Sequence, residues 1–263
     1  MKVKPKKSLG QNFLVNESLA QKIVDLGNIS KDDTVLEIGP GTGKLTEKII
    51  NKKPKKIIVI EKDASLVSYL NKKFGKKIEI INQDVLRFDE KKLPNLKIIA
   101  FGNLPYNIST QILIKLIKLE NLNEVFKKLI FMFQKEVAER INANYNDSKY
   151  GRISILSSWK FNIKKIKNIE PSSFFPPPKV KSTILELIPK KNFTQFNNPA
   201  NLEHITNVFF KQRRKMIKKP LNQLFKTPLV VSNKFKLDLN LRPQNLSPEV
   251  YFKLCKELEN SVK

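Results

Sequence analysis

Five short β-branched runs alternate with helical stretches between residues 34 and 143, and that alternation leaves few folds open. The runs are TVLEI (34–38), KIIVI (56–60), KIEII (77–81), KIIAF (97–101) and LIFMF (129–133), and helical segments fall near 43–52, 63–74, 109–119 and 135–143. A strand that is apolar along its whole length has both faces covered, and the helices between such strands return the chain so that each new strand runs parallel to the last. The expected architecture is therefore a doubly wound, Rossmann-like α/β sheet. An earlier helix spans 17–27, with Leu19, Ile23, Val24 and Leu26 at helical spacing and a glycine stop. After residue 152 the texture changes: SILSSWKFNIKKIKNIEP and STILELIP read as later strands joined through the proline-rich turn SSFFPPPKVKS. From about 190 the pattern is helical and polar. The expected division is a catalytic domain over 1–190 and a small all-helical domain over 191–263.

Open parallel sheets bind ligands at the carboxyl ends of their strands. The first strand here ends in Glu37-Ile38-Gly39-Pro40-Gly41-Thr42-Gly43 and opens a helix at Lys44. Glycines allow a tight turn and a close ligand approach, and the helix start favours a negative group. A phosphate-binding P-loop fails on two counts: Ile38 stands where its first glycine belongs, and Leu45 where its hydroxyl belongs. A dinucleotide site wants G-x-G-x-x-G, and the spacing here is G-x-G-x-G, which disfavours a pyrophosphate cradle without removing it. S-adenosylmethionine (SAM), with a carboxylate and a ribose but no phosphate, is the third reading. Glu61 follows the second strand, 18 residues beyond Gly43, near the spacing at which an acid reaches ribose hydroxyls. Asp84 follows the third strand, where it can accept from an exocyclic amine, and Asn103 follows the fourth. Each alone is also an ordinary strand-end cap.

The sole cysteine is Cys255 and the sole histidine His204, so neither a disulfide framework nor a Cys/His metal cage can be built. No metal is expected. His204 lies in an amphipathic stretch, NLEHITNVFF, and reads as a helical surface or packing residue. The basic start, MKVKPKKSLGQNFLVNES, lacks the apolar core of a secretory signal, and no run approaches the ~18 apolar residues of a membrane span. A soluble, cytoplasmic, monomeric protein is expected. Lys+Arg of 50 against Asp+Glu of 24 gives a net charge of +26, a field suited to the phosphates of nucleic acid. Only six of those basic residues are arginine, and the chain is also rich in asparagine and isoleucine, so part of the lysine excess is compositional.

Taken in order, KSLGQNFL (7–14), EIGPGTGKLT (37–46), IEKD (60–63), QDV (83–85), GNLPYNIST (102–110), FFPPPKVKS (174–182), FFKQRRK (209–215) and LRPQNLS (241–247) resemble the bacterial small-subunit ribosomal RNA adenine dimethyltransferases. The resemblance covers nearly the whole chain. It implies a SAM-dependent enzyme that dimethylates N6 of two adjacent adenosines near the 3′ end of 16S rRNA, with the immature small subunit as partner. By position, it implies that Asn12 and Leu14 close over the cofactor and that Gly39 and Gly41 line it. Glu61 then holds the ribose, Asp84 the adenine, and Asn103 both cofactor and target base. The phenylalanine of the F-x-P-P-P pattern corresponds to Phe174, with Phe175 beside it as an ambiguity. The erythromycin-resistance methyltransferases of large-subunit RNA share QNF and N-[LI]-P-Y but differ at GPGTG, PPPKVKS and LRPQNLS. A nonenzymatic RNA-binding factor on the same fold is the other alternative.

Adenine N6 is a poor nucleophile because its lone pair is delocalised. With no histidine or cysteine to deprotonate it, the expected route is geometric: the Asn103 side-chain oxygen and the Leu104 carbonyl accept the two N6 hydrogens, and Pro105 braces the turn. Tyr106 and Phe174 are expected to sandwich the flipped base. Lys211, Arg213, Arg214 and Lys215 are expected on RNA phosphates.

Overall fold

The computed structural model describes residues 4–93 and 97–261, so residues 1–3 and 94–96 of the expected first domain and 262–263 of the second lie outside the described residues. The strands are β1 (Phe13–Leu14), β2 (Thr34–Ile38), β3 (Lys56–Glu61), β4 (Glu79–Asn82), β5 (Ile98–Asn103), β6 (Phe126–Gln134), β7 (Phe161–Ile169), β8 (Phe174–Phe175) and β9 (Ser182–Pro189). The helices are α1 (Glu17–Asp25), α2 (Lys44–Asn51), α3 (Ala64–Phe74), α4 (Ser109–Ile117), α5 (Leu122–Val125), α6 (Lys135–Ile141), α7 (Arg152–Lys160), α8 (Ala200–Lys211), α9 (Lys218–Leu224), α10 (Pro228–Lys234) and α11 (Pro248–Ser261).

Seven strands form one sheet in the order β4-β3-β2-β5-β6-β9-β7, and β1 pairs with β8 in a separate two-stranded ribbon. From β4 to β6 every pair is parallel, whereas β9 runs antiparallel to β6. The register decides what meets at the carboxyl ends. Ile38 stands opposite both Ile60 and Gly102, so Gly39, Glu61 and Asn103 leave the sheet side by side. Glu61 pairs with Asn82, which brings Gln83 and Asp84 to the same rim. Because β9 is antiparallel, its first residue, Ser182, is paired with the last of β6, Gln134, and so arrives at that rim too. Helices cover both faces, and the residues of β2, β3 and β5 are almost all inaccessible, as a doubly covered parallel sheet requires.

The chain divides into two compact units: residues 1–138 with 162–190, and residues 139–161 with 191–263. One break falls at 190/191, and the expected assignment of 139–161 to the first domain is corrected, since that segment belongs to the helical unit. Its aromatic residues supply the reason. Trp159 packs edge-on to Phe193 (5.9 Å between centroids, 88°) and lies 5.0 Å from Phe196, while its Nε1 donates to the Thr194 carbonyl at 2.7 Å. Tyr150 packs on Phe210 at 6.1 Å. Trp159 thus adds packing energy and satisfies its polar tip at once. A second correction concerns SILSSWK, expected as strand: residues 152–160 are α7, and the strand begins only at Phe161. The helix buries Ser154, Ile155, Leu156, Ser157, Trp159 and Lys160, so it lacks the polar face that makes a 3.6-residue period visible.

Candidate active site

The carboxyl ends of β2, β3, β4 and β5 surround a cavity of ≈ 170 Å³. That is an order of magnitude more than the roughly 10–15 Å³ needed for one water, and suits a small organic ligand. Its walls are residues 8–14, the glycine loop with Lys44 and Leu45, residues 60–62 and 83–85, and the turn 103–108. Two glycines shape the floor. Gly41 has φ +57°, and a Cβ there would stand 2.9 Å from the Phe13 ring. Gly39 has φ +67°, and a Cβ there would meet no protein atom closer than Pro105 Cδ at 4.0 Å, so it would project into the cavity itself. Any side chain at 39 would occupy ligand space and strain the backbone.

Three carboxylates stand at different depths. Glu37 is 1 % exposed, and burial pushes its pKa up to about 7, against the Thr46 Oγ1 donor at 2.6 Å and with the nearby Glu61 charge adding to the rise. Glu61 is nearly buried, and desolvation raises its pKa, while backbone N–H groups of Asp63, Gly41 and Lys62 oppose that by donating to it. These three amides fix the carboxylate at the cavity wall. Asp84 is held below its usual range, first by Lys62 Nζ on Oδ2 (2.9 Å), and the Leu86 N–H donates to its Oδ1 at 2.9 Å. An amine reaching Asp84 would share the carboxylate with Lys62.

An N-terminal strap closes another wall. Lys6 Nζ pairs with Asp63 Oδ1 at 2.7 Å and Gln11 Nε2 donates to Asp63 Oδ2 at 3.1 Å; against the cost of burial, these and the Ser65 donors hold the Asp63 carboxyl well below its ordinary value. Asp63 also caps α3 through the Ser65 N–H at 3.0 Å, so one carboxylate anchors both strap and helix. Asn12 and Leu14 line the cavity, and Asn103 Nδ2 donates to the Asn12 carbonyl at 2.8 Å. With its nitrogen committed there, the Asn103 side chain presents Oδ1 as its acceptor. The Leu104 side chain is buried, Pro105 O accepts from the Ile108 N–H at 3.1 Å, and the Tyr106 hydroxyl is hydrogen-bonded to Ser182 Oγ at 2.6 Å. This bond fixes the Tyr106 ring along the cavity mouth.

The expected role of Phe174 is corrected. Phe174 is 3 % exposed and lies in the main hydrophobic core, whereas Phe175 is 58 % exposed. The two adjoin on β8, which pairs Leu14 with Phe174 and Phe13 with Phe175, so strand alternation turns one ring inward and the other outward. The ring on β8 that is open to an incoming base is Phe175.

In the helical unit, Lys211, Arg214 and Lys215 are exposed, joined by Lys218 and Lys219. Arg213 departs from expectation: its Nε donates to Gln244 Oε1 at 3.1 Å and its Nη2 to the Ser148 carbonyl, so its guanidinium fastens the unit internally. Four contributors escaped sequence reasoning: Lys6, Gln11, Asp63 and Ser182. Each sits within or beside a stretch already singled out (KSLGQNFL, IEKD, PPPKVKS), and only the fold shows its partner.

A model of the family "Ribosomal RNA adenine dimethylase" matches residues 2–260. "Ribosomal RNA small subunit methyltransferase A" of Pelagibacter ubique (strain HTCC1062) is 55% identical over 260 residues, covering 99% of each chain. The protein of that name from Wolbachia pipientis subsp. Culex pipiens (strain wPip) is 40% identical over 260 residues, 97% of each chain. Among solved structures, a dimethyladenosine transferase from Plasmodium falciparum superposes with a TM-score of 0.82 at 30% identity, over 95% of this chain and 98% of that one. The 23S rRNA methyltransferase ErmE superposes with a TM-score of 0.71 at 20% identity, over 94% and 100%, a likeness of fold. The family model spans nearly every residue and a relative matches end to end, so this chain belongs to the ribosomal RNA adenine dimethylase family.

Proposed function

We propose that this chain transfers methyl groups from SAM to N6 of two adjacent adenosines near the 3′ end of 16S rRNA, acting as a cytoplasmic monomer on the immature small subunit. The observation that carries the chemistry is the Asn103 amide. Its nitrogen is spent on the Asn12 carbonyl, which leaves Oδ1 to accept from an N6 hydrogen beside the Leu104 carbonyl. The small-subunit target is supported by relatives of that name at up to 55% identity along the chain.

The cavity suits SAM part by part. Gly39 leaves room for the ligand chain, Glu61 offers a fixed acceptor for ribose hydroxyls, and Asp84 stands where an adenine amine needs an acceptor. Asn12 and Leu14 cover it from the strap, and Gly41 brings its backbone close. SAM supplies an electrophilic methyl group on sulfonium. Asn103 and Leu104 accept the N6 hydrogens, which localises the lone pair on nitrogen and aims it toward the cofactor side. Tyr106, held by Ser182, and the exposed Phe175 provide aromatic faces for the flipped base, each such stack contributing roughly 1–3 kcal/mol. Positioning and preorganised acceptors supply the rate. The helical unit contributes Lys211, Arg214 and Lys215 as phosphate contacts.

The test is incubation with isotopically labelled SAM and unmethylated small subunits, followed by mapping of the labelled nucleotides. Label on two adjacent adenosines of 16S rRNA supports the proposal. Label on large-subunit RNA would reassign the substrate, and no label under any condition would favour a nonenzymatic assembly factor.

A further inference from the structure

Residues 142–150 form a polar loop, NANYNDSKY, that carries one aromatic side chain into solvent: Tyr145, 49 % exposed. A single exposed aromatic residue is ordinary. What sets this one apart is the rigidity of its mount. Asn146, next in sequence, sits at φ +71°, a left-handed conformation that Asn tolerates better than most residues. The Asn146 N–H donates to the Gln244 carbonyl at 2.8 Å, and its Oδ1 accepts from Asn245 Nδ2 at 2.9 Å. Gln244 Oε1 in turn accepts from Arg213 Nε, while Arg213 Nη2 donates to Ser148 O in the loop. Three segments are thereby stitched together: the Tyr145 loop, the basic turn after α8, and the turn 242–245.

Each of the stitched segments also carries an exposed cation. Lys149 follows in the loop, Arg214 and Lys215 adjoin Arg213, and Arg242 precedes the Gln244 turn. The loop's one carboxylate, Asp147, accepts the Lys149 N–H at 2.7 Å. We propose that this seam binds an unpaired stretch of RNA, with Tyr145 stacking on a nucleobase and Arg214, Lys215 and Arg242 taking the flanking phosphates. An exposed aromatic face on a mount whose segments also carry exposed cations suits single-stranded nucleic acid, because every base has a π-face and every linkage a charge. A duplex offers no free base face. The site rests on the reading of this chain as an RNA methyltransferase, but it is separate from the methyl-transfer residues.

The experiment compares the full chain with Tyr145→Ala, Tyr145→Trp and Arg242→Gln. Binding is measured to a short single-stranded RNA and to a blunt duplex of the same length across a salt series, alongside methylation of small subunits. Tyr145→Ala should weaken single-strand binding about five- to hundredfold with an unchanged salt slope, since a stacked ring releases no counterions. Arg242→Gln should lower the slope by about one. Tyr145→Trp should bind as the native chain does, with indole emission quenched by single strand and not by duplex. Native-like binding by Tyr145→Ala, equal losses on both probes, or unquenched emission from Tyr145→Trp would overturn the inference. Absence of methylation by the native chain would overturn the functional reading, and the oligonucleotide comparison would still decide the stacking site.

Discussion

Glu37 illustrates how far one residue can be displaced from its chemistry in water. Its carboxyl lies behind the glycine loop with Thr46 as donor, and its pKa stands near 7 against an ordinary 4.5. The folded chain binds this proton more tightly than the unfolded chain, so the resulting stability is complete below 4.5 and is lost as the pH rises through about 7. Glu37→Gln, which cannot ionise, should therefore gain on the native chain by ~1–3 kcal/mol across that window, as read by urea unfolding at each pH. A difference that stays flat with pH would mean that the carboxyl titrates normally. Asn103 is tested by transfer itself. Asn103→Ala should abolish methylation while cofactor binding survives in weakened form, and near-normal methylation would remove it from the chemistry. Asn103 was legible in the sequence because NLPY follows a buried strand. The orientation of Phe174 and Phe175 was not, since adjacent residues on a strand face opposite ways and sequence does not give the phase. Lys6 and Ser182 were illegible for a different reason: their partners lie 57 and 76 residues away.

Among the elements, the strap is anchored by the buried Phe13 and Leu14 at its later end, and at its start by the electrostatic contacts of Lys6 and Gln11 with Asp63. Lys6 is half-exposed while the Asp63 carboxylate is buried, so the pair is screened on one side only. Lys6→Met should raise the dissociation constant for S-adenosylhomocysteine about two- to tenfold at low salt, and the gap should narrow as salt rises, measured by calorimetry. An unchanged constant at every salt concentration would leave the strap held by its backbone contacts and by β1 on β8. The central elements were readable because β2, β3, β5 and β6 are runs of apolar residues bounded by polar turns. The helix α7 was not, because burial around its circumference erased the periodic signal that separates helix from strand.

At the level of the whole molecule, the division into units was half legible. The polar, helical texture after residue 190 marks one boundary, whereas the capture of 139–161 by the helical unit rests on rings that meet across long separations, Trp159 with Phe193 and Phe196, Tyr150 with Phe210. The arginines also divide unevenly. Of the six arginines, Arg140, Arg152, Arg213, Arg214 and Arg242 fall in the helical unit, and only Arg87 in the other. Two neighbours there should part company on mutation. Arg214→Ala should weaken RNA binding with little sequence dependence and reduce the salt slope by about one, at unchanged melting temperature. Arg213→Ala should lower the melting temperature, by scanning calorimetry, because it unfastens Gln244 and Ser148; equal behaviour of the two variants would refute that separation. The fastening also limits what the chain can become. Lysine is this sequence's default cation, and at most surface positions it serves as a synonym for arginine. At 213 it does not: two acceptors on separate segments are met by different nitrogens of one plane, and an ammonium at the end of a single stem has no such fork. Compositional drift toward lysine can rewrite the rest of this surface, but at that position it would undo a knot.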